Sequence, residues 1–376
     1  HRLLAEQQML LVIDDVWDSA HAEWFRVGGP ACRVLVTTRE AVIVSAERYC
    51  LDLMSPQEAL DLVKGELGTK WTRSMEEPAL EFSRLLGYLP LAVRLMAVQI
   101  ARGRKWETLK KAFVRETERL RALDYPGVRL VNLSDEERRK YSLRACFGLS
   151  LDRLKEDSSE LFERFIWLGV LPEDVILSQQ MAMTLWAIED WESEETLLTL
   201  YERSFLTGGV TTIEGEKTYR VHDLMHDMAR DYIEKGLLNT STQNSDWANK
   251  NKRCITFQDR QQNLVLAHQK FLERYREVST DYCWSQLPDD GYIHRHLTWH
   301  MEQGNWDEEI HKLMALSDNK GRNAWFEACD RTGQPAIFVE DIARGWRLAE
   351  ESYAIDQFQS IALQCRYALI TSTLIS

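Results

Sequence analysis

The sequence predicts a multidomain, mostly α-helical chain that opens on a short α/β segment and continues into a helical domain, a winged helix and an α-helical arm or repeat array. Three observations carry that prediction. Apolar runs at residues 9–13 and 33–36 each stop abruptly at polar residues, as the buried strands of a parallel sheet do. Beyond Leu51 the strand pattern gives way to helical periodicity with capping signals. A single hairpin pattern interrupts the helices near residues 209–221.

Length and composition set the frame. At 376 residues the chain exceeds one ordinary core, and three or four domains are expected. Hydrophobic residues at 44% and charged residues at 28% fit a folded globular protein. Seven cysteines, odd in number and never in a C-x-x-C pair, indicate neither a disulfide framework nor a zinc site, which fits a cytoplasmic protein. No apolar run approaches the ~20 residues that span a bilayer, so no membrane association is expected. A net charge of -13 works against non-specific nucleic-acid binding. The first residue, His1, is not Met, so the start is expected to be truncated.

Taken in order, the first two strands are separated by about 18 residues, enough for the crossover a parallel pair needs. Both then deliver polar groups at their carboxyl ends, where open α/β sheets place ligands. Ser55-Pro56-Gln57-Glu58 is a capping box with proline at the first helical position. A second helix is expected over 77–86, broken at Gly87, a third from Pro90, and a fourth over 106–123. Tyr125-Pro126-Gly127 and the charged run 135–140 read as a linker. From 143 to 238 three helices, a hairpin with strands at 209–213 and 218–221, and a last helix suggest a winged helix. Farther on, 291–303, the Gly304-Asn305 turn and 306–316 form an αα-hairpin. The expected domains are 1–50, 51–124, a linker 125–142, 143–238, 239–318 and 319–376.

The strongest local signal for chemistry is Asp14-Asp15 at the end of the first strand. A solvated acidic turn would look the same, but one carboxylate there can hold magnesium and the next can orient an attacking water. Thr37-Thr38-Arg39, ending the next strand, supplies a cation suited to a terminal phosphate. Two other histidine groups read differently. His222 and His226, four apart, have the spacing of a zinc clasp but lack the glutamate of H-E-x-x-H, and His294, His296 and His300 read as surface or packing residues.

With these residues in place, a family resemblance is plain. Leu10-Leu11-Val12-Ile13-Asp14-Asp15-Val16-Trp17 resembles the Walker B strand of NB-ARC proteins, Val36-Thr37-Thr38-Arg39 their sensor strand, and Gly87-Tyr88-Leu89-Pro90-Leu91-Ala92 their G-L-P-L-A motif. Val221-His222-Asp223 is similar to the M-H-D motif with valine for methionine. The four stand in the order and at the spacings of that branch of the STAND ATPases, of apoptotic protease-activating-factor and plant disease-resistance type. The resemblance implies a fold: the end of a P-loop α/β nucleotide-binding domain, a helical domain, a winged helix, then a helical arm and repeats. It also implies ADP/ATP and Mg2+ as cofactors. Asp14 would serve magnesium, Asp15 water activation as the catalytic residue, Arg39 the γ-phosphate, Pro90 the adenine and His222 the β-phosphate of ADP. Implied partners are a second copy of the protein on activation, an effector domain upstream and sensor repeats downstream.

One departure stands out. No G-x-x-x-x-G-K-[ST] string precedes the first strand, and Gly215-Glu216-Lys217-Thr218 reads as a hairpin turn. Slow ATPase activity is therefore expected of the intact parent protein and not of these residues alone. The rival from another class is a winged-helix DNA-binding regulator. Residues 143–238 oppose it, with nine basic against nineteen acidic side chains for a net charge of -10. An independent hydrolase has no assembled nucleophile, histidine and acid to support it. The final helices are expected to begin a longer array with an apolar face left uncovered.

Overall fold

The computed structural model describes residues 4, 6–16, 19–25, 27–38, 47, 49, 51, 53–124, 134–211, 216–239, 256–318 and 320–375. Two compact units divide the chain, His1–Leu53 and Met54–Ser376. Among the described residues helices predominate, as the sequence predicts.

In the first unit, strand β1 (Leu10–Val16) pairs in parallel with β2 (Arg33–Thr38), and helix α1 (Ser19–Trp24) lies in the crossover and packs on β1. Leu10 stands opposite Arg33 and Ile13 opposite Val36. The strand expected to end at Asp14 runs on to Val16, with a register shift between Ile13 and Val16. Burial on both faces is not found. Leu10, Val12 and Leu35 are 62%, 55% and 52% exposed, because two strands and one short helix make up this layer among the described residues.

The second unit begins with the expected capping box. Ser55 accepts from the Glu58 amide at 3.3 Å while the Glu58 carboxylate accepts from the Ser55 amide at 2.7 Å. These bonds to Ser55 lower the Glu58 carboxyl below its ordinary range. They start α2 (Pro56–Leu67), and α3 (Glu76–Leu85), α4 (Pro90–Ala101) and α5 (Trp106–Asp124) follow close to their expected bounds. Phe82 of α3 meets Trp106 and Phe113 of α5 edge to face, at 6.1 Å each, which closes the apolar faces of this bundle.

The charged run 135–140 departs from its reading as a linker. It is the opening of α6 (Asp135–Asp157), started by a second capping box in which Ser134 accepts from the Glu137 amide at 3.2 Å and Glu137 accepts in return at 2.9 Å. Residues 125–133 lie outside the described residues. A surface helix start can be wholly charged when its apolar positions begin a turn later, here at the buried Tyr141 and Ala145. Ser134→Ala is expected to cost about 1 kcal/mol. The readout is the urea midpoint, and an unchanged value would mean that packing alone fixes the start of α6.

Helices α7 (Ser159–Trp167), α8 (Gln179–Trp186) and α9 (Asp190–Glu202) come before the hairpin of β4 (Leu206–Thr211) and β5 (Lys217–Val221). That is four helices with α6 where three were expected. A two-residue strand β3 (Ile176–Leu177), too short to read from pattern, joins on the other side of β5 to give the order β3-β5-β4. The hairpin's connecting residues 212–215 lie outside the described residues, while Lys217 and Thr218 of the P-loop-like string sit in β5. Helix α10 (Asp223–Glu234) then lies across residues 168–170. Gly169 permits this crossing, since a Cβ there would fall on the backbone of Ala229 and Arg230 well inside contact distance.

Helix α11 (Phe257–Val278) packs along α10 and α8. Its Arg274 lies 3.9 Å over the Trp167 ring and donates to the Leu185 carbonyl. The predicted αα-hairpin follows as α12 (Ile293–Gln303) and α13 (Asp307–Ala315), with Asn305 at φ 56 in the turn. Helices α14 (Ala324–Arg331), α15 (Pro335–Glu351) and α16 (Gln357–Ile375) complete the chain. Asp341 of α15 is buried, accepts from Trp325 Nε1 at 2.8 Å and from Thr298, and burial raises its carboxyl to about 6. Helix α16 sets Tyr367 against Gly345, while Phe358, Ile361 and Leu369 are exposed. No helix among the described residues is long and apolar enough to cross a membrane.

Candidate functional site

Asp14 is placed by the end of the parallel pair. Its carboxylate is exposed and accepts a hydrogen bond from the Thr37 hydroxyl of the neighbouring strand. One residue on, the Thr38 hydroxyl donates to the Val16 carbonyl at 2.5 Å. These cross-strand bonds fall where the register shifts, so hydroxyl groups take over where the regular pairing ends. The result is an anionic group held at the carboxyl edge of a parallel sheet. A carboxylate with one oxygen on a hydroxyl can give the other to a hard cation or its water, which fits the magnesium assignment.

Of the other residues predicted for this edge, Asp15 has its backbone in β1, and its side chain lies outside the described residues. Arg39 lies outside them too. Thr37 is the residue that sequence reasoning passed over, having weighed its strand end only for the arginine. Its signal is its place at the end of β2 beside a strand that ends in acids.

Pro90 and His222 belong to the second unit. Gly87 at φ 69 and Tyr88 at φ 54 make the turn that ends α3, and Pro90 follows as the first residue of α4, exposed to solvent. Proline costs nothing there because the first amides of a helix have no carbonyl partner. A positive φ at a tyrosine is uncommon, and the turn is fastened by the Tyr88 amide to the Ser83 carbonyl at 3.0 Å and the Met54 amide to the Tyr88 carbonyl at 3.3 Å.

His222 is the N-cap of α10. Its Nδ1 accepts from the Leu224 amide at 3.3 Å, and its carbonyl accepts from the Met225 and His226 amides at 2.8 and 2.9 Å. Because Nδ1 accepts, the proton of the neutral ring is on Nε2. That tautomer makes Nε2 the donor, as a contact to a phosphate oxygen requires. The expected role as a donor and the observed role as a cap therefore use opposite nitrogens of one ring.

Both residues are referenced to α6. The Phe147 ring of α6 stands 6.4 Å from that of His222, and α6 packs along α4. Buried Gln99 of α4 ties the two helices, donating to Ser150 at 3.0 Å and accepting from Arg104 at 2.6 Å. A displacement of α6 would move the settings of Pro90 and His222 together.

Comparison with known proteins bears on this arrangement. Residues 1–71 match the family described as NB-ARC domain, and residues 264–341 match the APAF-1 helical domain. Regulatory protein AfsR of Streptomyces griseus is 27% identical over 238 residues, covering 61% of this chain and 22% of that protein. Apoptotic protease-activating factor 1 of Danio rerio is 24% identical over 315 residues, 82% of this chain and 21% of that one. Disease resistance protein RGA2 of Solanum bulbocastanum is 25% identical over 276 residues, 66% and 26% respectively. The chain thus spans between a fifth and about a quarter of the length of these curated relatives.

Proposed function

We propose, from the premise that this chain is a stretch of an NB-ARC-type STAND protein, that it forms part of an ADP/ATP-dependent signalling switch whose exchange of nucleotide controls self-association. The observation that carries the reading is Asp14 at the carboxyl edge of the β1–β2 pair, held by Thr37, inside the segment that matches the NB-ARC domain. In this reading Asp14 holds Mg2+, Asp15 orients water, Arg39 answers the γ-phosphate, Pro90 lies against adenine and His222 donates to the β-phosphate of ADP. Magnesium, when bound, neutralises phosphate charge.

The parts divide as follows. Residues 143–238 act as a winged helix that closes on the nucleotide through His222, 239–318 act as an arm, and 319–376 begin an array. Cytoplasmic placement belongs to the same proposal.

The test is nucleotide content. The full-length protein, purified without added nucleotide and then denatured, is expected to release close to one ADP per chain. Asp14→Ala is expected to lower the retention of Mg2+-ATP more than that of ADP, since Asp14 would hold the ion that offsets the charge of the terminal phosphate. Absence of any released nucleotide from the full-length protein, together with no measurable ADP binding, would defeat the proposal.

A further inference from the structure

The pair His222 and His226 has the spacing of a metal clasp, and the structure separates the two. His222 turns to its own helix as the N-cap. His226 turns the other way, toward the bend that follows residues 168–170, and meets the neighbouring Asp227 and Glu173, the latter brought in from 53 positions earlier. Ligand atoms of Glu173, His226 and Asp227 all lie within 4.8 Å of one another.

Three features set this group apart from an ordinary acidic surface. First, the His226 side chain is buried, with 3% exposure, and its Nδ1 has no hydrogen-bond partner in the protein. Buried polar atoms are almost always satisfied, and a buried lone pair without a donor asks for one. Second, the ring's other nitrogen is fixed. Nε2 lies 2.7 Å from the Leu171 carbonyl. A carbonyl can only accept, so Nε2 carries a proton and the neutral ring presents its lone pair at Nδ1. Metal-binding histidines are oriented in this same way, by giving the second ring N–H to a backbone carbonyl. Third, Glu173 and Asp227 are exposed carboxylates that lie within 4.8 Å of each other and of a ring nitrogen of His226. Glu173 and His226 also line a pocket of about 10 Å³, which has room for about one water molecule or ion.

We propose that Glu173, His226 and Asp227 form a binding site for a divalent transition-metal ion, with zinc as the best fit. The donor set is one imidazole nitrogen and two carboxylate oxygens. Sulfur-seeking ions find no thiolate in it, and the imidazole disfavours magnesium and calcium, which take oxygen ligands. Zinc accepts such a set at ~2.0–2.2 Å. Water or an anion completes the coordination. The bound ion ties the turn at 171–175 to the first turns of α10, so it braces the helix that His222 caps. This inference does not rest on the nucleotide reading.

The test is titration of zinc chloride into the metal-free protein by calorimetry. One saturable site is expected, with a rise in melting temperature on filling it. Glu173→Gln and Asp227→Asn should each weaken it by about tenfold or more, with the zinc-free melting temperature and circular dichroism unchanged. These exposed residues carry the test because replacing buried His226 would disturb packing. Cys365→Ser, at the exposed thiol, should bind zinc as the parent does. Cobalt in place of zinc should give d–d bands without thiolate charge transfer. Absence of a saturable site, parent-like affinity in both carboxylate variants, or loss of the site in Cys365→Ser would overturn the proposal.

Discussion

Acidifying the protein from pH 7 to pH 5 should destabilise the packing of helices α11 to α15 by about 3 kcal/mol or more, a large share of the ~5–15 kcal/mol that holds a typical fold. The cause is a group of histidines folded in their neutral form. His268 and His300 are fully buried with their Nδ1 atoms 2.9 Å apart, and Tyr292 Oη lies 2.5 Å from His300 Nε2. Phe271 and Trp299 enclose the same rings at 4.7 and 4.8 Å from that of His300. Burial, then Arg230, pushes His268 down to about 3. Burial, then Arg295 and Arg344, takes His296 to about 4. His300 is held well below its ordinary value by burial and by the two neighbouring histidines.

The sign follows from which state takes up protons. An unfolded histidine protonates near pH 6.5, while these folded rings stay neutral to about pH 4 or lower. The unfolded chain therefore binds more protons as pH falls from 6.5, and each such ring costs about 1.4 kcal/mol per pH unit. His268 and His296 alone lose about 4 kcal/mol by pH 5. Asp341 acts in the opposite sense. Burial raises it to about 6, so the folded state takes its proton earlier, which gains about 1.4 kcal/mol over the same interval. Asp290, also raised by burial, adds to that side, and His300 adds to the loss. Urea midpoints followed by tryptophan fluorescence, to which Trp299 of α12 and Trp325 of α14 contribute, decide the matter. A midpoint equal or higher at pH 5 would show that the buried carboxylates govern the balance instead.

The second large effect is expected at His222. On the proposed reading, in which His222 donates to the β-phosphate of ADP, removing that one charge-assisted hydrogen bond of ~1.5–3 kcal/mol should cut ADP retention by the full-length protein roughly ten- to a hundredfold. His222→Ala alone is ambiguous, since it also removes the cap of α10, worth about 1 kcal/mol of helix stability. His222→Asp separates the roles. Aspartate caps well but cannot donate to a phosphate, so the melting temperature should hold while ADP is lost. If His222→Asp kept ADP as the parent does, His222 would be a cap and nothing more.

What the sequence revealed and what it hid divide along chemical distance. The parallel pair was legible because an unbroken apolar run ending in polar residues has few other uses. The exposure of Leu10 and Leu35 was not, since run composition cannot tell how many layers cover a sheet. Ser55-Pro56-Gln57-Glu58 announced a helix, yet Ser134 and Glu137 make the same box and were read as linker, because no proline marked them and charge masked the start. At the site, motif order identified Asp14, Pro90 and His222 as candidates, but not how any of them is held. Thr37 lies 23 residues from Asp14, and Glu173 lies 53 positions before His226. Such pairs are made by tertiary folding and leave no local period. His294, His296 and His300 read as surface or packing residues; the structure buries His294 and His300, and the pairing of His300 with His268 across 32 residues could not be read from the sequence.

Gly169 bears on how this part of the chain can move. Because the backbone at 169 touches the backbone at 229–230 with no side chain between, the two elements have no soft layer in which to slide or roll. Helix α10 and the segment after α7 therefore travel as one body. Motion in this unit has to be taken up at junctions made of side chains, outside the crossing of α10 with residues 168–170. The glycine thereby excludes a hinge from its own surroundings.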